Sequence, residues 1–89
     1  MGLKLNNLEI CFISAMSIGA KYVGVKIWMQ GFDDCEVIIN PNANFKKKLE
    51  YYKTAYNEDL TLKAFNDIKI VGFTYGDSYK EIENSLVEV

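Results

Sequence analysis

Eighty-nine residues with a net charge of −2 make one domain of about the usual minimum size, and such a chain hides only about 60–65% of its unfolded surface. Hydrophobic residues at 49% and aromatic residues at 13% supply one core, and 25% charged residues with a single proline exclude a disordered chain. All ten basic residues are lysine. With no arginine to form a planar fork on phosphate or guanine, nucleic acid is not the expected partner. With no histidine, the commonest general base and metal ligand are missing.

No run of 18 apolar residues occurs, so no membrane span is expected, and a cytoplasmic location fits two free cysteines, Cys11 and Cys35. Residues 1–20 form an N-terminal element open to two readings. As a helix with Asn7 as N-cap, it places Leu8, Cys11, Phe12, Ala15 and Gly19 on one face. Ile10 and Ile13 then fall on the opposite face, so the helix is apolar almost all round. As a strand, Leu8, Ile10 and Phe12 alternate with Glu9 and Cys11. Met16 is an alternative start that leaves the remainder intact.

Residues 21–89 read as a β-β-α-β-α core, giving a single domain over 1–89. In the strand over 22–30, Val23, Val25, Ile27 and Met29 point one way, and Tyr22, Lys26, Trp28 and Gln30 the other. A turn at 31–34 leads to a second strand over 35–40, with Cys35, Val37 and Ile39 on one face, so the pair is an antiparallel hairpin. Pro41 ends it. Asn44 N-caps a helix to about Tyr56, whose buried stripe is Phe45, Leu49, Tyr52 and Tyr56. Strict alternation from Ile68 to Tyr75 predicts a strand apolar on both faces, with Ile68 and Ile70 on one and Val71, Phe73 and Tyr75 on the other. Ser78 and Glu81 form a capping box that opens a C-terminal helix bearing Tyr79, Ile82 and Leu86. The fold class is therefore α+β: a small antiparallel sheet of three to five strands with two or three helices packed on it.

Chemistry is sparse. Neither cysteine has a base to hold a thiolate, and Ser14, Ser17 and Ser78 have no triad partner. Asp33, Asp34 and Glu36 lack the alternating acidic loop of a calcium site and read as a solvated turn. Lys46, Lys47 and Lys48 point in three directions at about 100° per helical residue, which makes a solvated face and no basic stripe. No cofactor, metal site or enzymatic activity is expected. Exposed aromatic residues and the turn beside them carry the binding expectation: Tyr22, Trp28, Phe32, Asp33, Asp34 and Tyr51 are the candidate contacts for a protein partner or a second copy. Because the strand over 68–75 reads as apolar on both faces, the expected homodimer uses the surface around Tyr22, Trp28 and Phe32.

The block VIINPNANFKKKLEYYKTAYNEDLTLKAFNDIKIVGFTYGDSYKEIENSL, within residues 37–86, resembles small proteins encoded by phages and prophages of low-GC Gram-positive bacteria. The resemblance implies a non-enzymatic accessory protein that works in the host cytoplasm. It would inhibit a host defence complex, such as a CRISPR effector, by protein–protein binding. A sponge that sequesters a small nucleotide signal and a structural subunit of a larger assembly are the alternatives.

Overall fold

A computed structural model describes residues 2–31 and 34–86. The N-terminal element is a helix, α1 (Leu5–Ile18). Its start lies earlier than an Asn7 cap would place it: Lys4 is the N-cap residue, and the Asn7 side chain reaches back from the first turn to accept the Lys4 N–H at 2.9 Å. Gly19 closes the helix at φ 75°, where a residue without Cβ turns left-handed at no steric cost, and its N–H donates to the Ala15 carbonyl. Strands β1 (Tyr22–Met29) and β2 (Glu36–Pro41) form the antiparallel hairpin. One 3-10 turn (Asn42–Asn44) leads into α2 (Phe45–Ala55), then come β3 (Ile68–Gly76) and α3 (Tyr79–Leu86). Sheet order is β2-β1-β3 with every pairing antiparallel, so the fold is α+β with helices packed on a small sheet.

Helices cover both faces of that sheet. Val23, Val25 and Ile27 look toward α1 and α2, where they join Leu8, Phe12, Ala15, Phe45, Tyr52, Tyr56 and Ile70 in one core. Phe12 meets Phe45 edge-on, with ring centres 5.7 Å apart and planes at 84°, a geometry worth about 0.5–1.5 kcal/mol beyond the area it buries. The buried Asn40 is kept satisfied: its side-chain amide donates to the Val23 carbonyl at 3.1 Å and it pairs with the Tyr52 hydroxyl. An unpaired amide there would cost about 1–3 kcal/mol.

The alternation expected of β3 fails in its middle. Lys26 pairs with Gly72 but Ile27 pairs with Ile70, so Val71 is an extra residue in a β-bulge. The bulge returns Phe73 to the face that carries Ile68 and Ile70, and all three pack on the α1/α2 core. The strand therefore needs large-scale apolar cover on one face only. Its other face presents Gly72, Thr74 and Gly76, cross-strand from Lys26, Gly24 and Tyr22. There α3 docks with Ile82 and Leu86 buried. Gly24 makes this approach possible, since a Cβ at that position would collide with Ile82 Cγ2. Ser78 Oγ accepts the Glu81 N–H at 3.1 Å, and Glu81 Oε1 accepts the Asp77 N–H at 2.7 Å, so the predicted cap opens α3 with its return bond one residue early.

The connection from α2 to β3 is tied down. Leu60 is fully buried in a left-handed turn at φ 72°, a strained setting for leucine that its burial holds in place. The Leu62 N–H donates to the Ile68 carbonyl, and the Ile70 N–H to the Leu60 carbonyl, which covers the outer edge at the start of β3. Asp59 accepts from the backbone and hydroxyl of Thr61, and these bonds hold its carboxyl below the usual range.

Candidate functional site

The residues expected to bind a partner do not converge. Tyr22 and Trp28 share a sheet face but sit six residues apart on β1, roughly 20 Å at ~3.3 Å per residue. Between them lies α3. Tyr22 is half-buried and meets Tyr79 edge-on at 5.0 Å. Trp28, at 36% exposure, stands past the point where α3 ends, beside Lys69 in the register. Lys26 Nζ donates to the Leu86 carbonyl at 2.8 Å, placing a cation at the negative end of α3. Asp34 is exposed and lines a shallow hollow with Lys26, Cys35, Val37, Glu83 and Leu86. Phe32 and Asp33 lie outside the described residues. Tyr51 is on the opposite side of the molecule, on α2, half exposed and packed against Tyr52 and Tyr56 with the Lys48 ammonium 5.6 Å from its ring centre.

The two thiols are also on opposite sides. Cys11 packs against the α1/α2 core and Cys35 opens into the hollow beneath α3, so the sheet separates them and both are free. Burial pushes the Cys11 thiol from 9.0 up to about 11, which keeps it protonated and a poor nucleophile at neutral pH. Burial likewise raises Tyr52, and raises Tyr56 to about 12. Among the described residues no three cysteine, aspartate or glutamate side chains gather as a metal site would require.

A different surface emerges on α1. Leu8, Phe12 and Ala15 face the core, as the helical reading of the sequence has it. The outward side carries Ile10 and Ile13, each 51% exposed, with Met16 and Ile18 exposed beside them. A solvent-facing helix side is ordinarily charged or polar. Here the helix holds a single ionised residue, Glu9, and that carboxylate is bound to Lys53 of α2 at 3.1 Å. The sequence signal for this surface is the pair Ile10 and Ile13 opposite the buried stripe. It is readable only once the segment is known to be helical. Where the end of α1 meets the start of α2, a groove of about 470 Å³ is lined by Ala15, Gly19, Ala20, Ala43, Phe45 and Lys46 among others. Among the described residues no helix is long and apolar enough to cross a membrane.

No family model matches the chain, and neither the curated proteins nor the solved structures compared with it give a match.

Proposed function

We propose that this protein is a non-catalytic binding module that engages a protein through the outer face of α1. The observation that carries the reading is the exposure of Ile10 and Ile13 on a helix side with no unpaired charge. An apolar centre bordered by charged neighbours is how protein interfaces are built. A lipid surface would call for lysines along the polar flank of the helix, and α1 contains none. The protonated Cys11 and the scattered acidic residues favour binding over catalysis.

The phage-like wording of residues 37–86 makes a component of a host defence complex the first partner to test. A subunit role in a larger assembly would use the same face. The nucleotide-sponge alternative draws less support, because the groove between α1 and α2 offers a phosphorylated ligand only one aromatic side chain, Phe45, and one lysine, Lys46. The test is a photo-crosslinking amino acid at position 13, illuminated in the producing cell, with the same probe at position 80 as control. A dominant protein adduct specific to position 13 is expected. Equal, diffuse labelling from both positions would sink the reading.

A further inference from the structure

We infer that the occupant of the outer α1 face is a second copy of this chain, paired antiparallel about a two-fold axis that runs between the two helices, perpendicular to both, at the level between Cys11 and Phe12. The inference rests on the protein-binding reading and deepens it. Its first support is spacing. Asn6, Ile10, Ile13 and Ser17 are all exposed and recur at four, three and four residues, which is the seam by which one helix packs along another. That sequence of intervals reads the same from either end. Its centre coincides with the midpoint of α1, which spans Leu5–Ile18. An antiparallel copy therefore brings Ile10 against the partner's Ile13, and Asn6 against the partner's Ser17. Each contact is made twice, as a closed two-fold interface demands.

Charge gives the second support. A patch can face its own copy only if it sets no like charges against each other. The seam has none, and the one carboxylate on the helix is held by Lys53. The arrangement also has the anatomy of an interface: isoleucines at the centre, with the amide of Asn6 and the hydroxyl of Ser17 at the ends.

Size sets the strength. A helix of 14 residues is ~21 Å long, so a single helix pair with flanking Met16 and Ile18 falls at the low end of specific interfaces, below about 1,200 Å² in total. An interface of that size belongs to the weak, transient kind.

Sedimentation equilibrium on the wild-type chain, from low micromolar to near-millimolar concentration, tests this. The expected result is a reversible passage from one to two chain masses. Ile10→Glu and Ile13→Glu should each raise the dissociation constant about tenfold or more. Circular dichroism should be unchanged, since both side chains are half exposed. The register is tested by Ile10→Glu/Ile13→Lys, which sets an introduced carboxylate against an introduced ammonium across the axis. It should dimerise more tightly at low salt than Ile10→Glu/Ile13→Glu. A wild type that stays monomeric throughout overturns the proposal, as does a dimer indifferent to both single substitutions. A monomer whose position-13 crosslinker still captures one foreign protein removes the self-pairing and leaves the binding reading standing. A monomer that captures nothing removes both.

Discussion

The two faces of this sheet are covered in different ways. On the α1/α2 side, large side chains interlock: Phe12, Phe45, Tyr52, Leu8 and Leu60 fill the space above Val23, Val25 and Ile70. On the α3 side the sheet carries Gly24, Gly72 and Gly76 among its residues, and α3 lies close to the backbone at Gly24, with Ile82 and Leu86 buried. One face is thick, with contacts shared among α1, α2 and all three strands. The other is a short helix packed over Gly24. Cooperative stability should therefore reside on the first face, while the second can open locally without taking the first with it.

The largest effect should come from breaking the thick face. Phe12→Ala removes a fully buried ring that touches both Phe45 and Tyr52. It should lower the unfolding free energy by about 3–5 kcal/mol, read from the midpoint of urea denaturation. A cost below about 1 kcal/mol would mean that the core is not where cooperativity lies.

A smaller and more local loss is expected on the thin face. Gly24→Ala drives a methyl group into Ile82 Cγ2, which is stiff because isoleucine branches at Cβ. Overpacking of this kind costs about 1–3 kcal/mol. Amide exchange across residues 79–86 should accelerate, while α1 and α2 amides keep their protection. Equal acceleration everywhere would show that the two faces unfold as one.

Alkali should reveal the same asymmetry with the mildest effect. Cys11, Tyr52 and Tyr56 all lie on the thick side, and burial raises all three above their ordinary values. In this range the unfolded chain gives up these protons before the folded one does, so stability must fall as pH rises. The contribution is whole well below pH 9.0, the value at which the unfolded thiol is half ionised. It is lost as pH climbs through about 11 for Cys11 and about 12 for Tyr56. Denaturation midpoints measured across that window should decline steadily from a flat neutral plateau. A plateau extending past pH 11 would show that these groups are solvated in the folded protein.

How much of this was legible beforehand depended on contrast within each segment. The alternation of Val23, Val25, Ile27 and Met29 against Tyr22, Lys26 and Trp28 states both the strand and its two faces. Phe45, Leu49, Tyr52 and Tyr56 against three lysines state α2, and Ser78 with Glu81 states the start of α3. Residues 8–20 lacked that contrast, because Ile10 and Ile13 on the outside are as apolar as Leu8 and Phe12 on the inside. Periodicity disappears where both faces carry the same chemistry. The candidate site is hidden by the same sameness: nothing in the residue types tells an exposed isoleucine from a buried one.

The sequence by itself determined the class, the hairpin, two of the helices and the lack of histidine and arginine, since each follows from local spacing or from composition. Tertiary structure alone decided the rest. The bulge at Val71 depends on how β3 pairs with β1, and by shifting Phe73 to the core face it abolished the second apolar face that alternation predicts. The reach of α3 also decided which side chains remain in water. Eight residues of helix span ~12 Å over a strand of ~26 Å, so Tyr22 lies beside Tyr79 and Trp28 is left at the open end. Exposure belongs to the neighbours a residue acquires on folding, and those neighbours are brought together from distant parts of the chain.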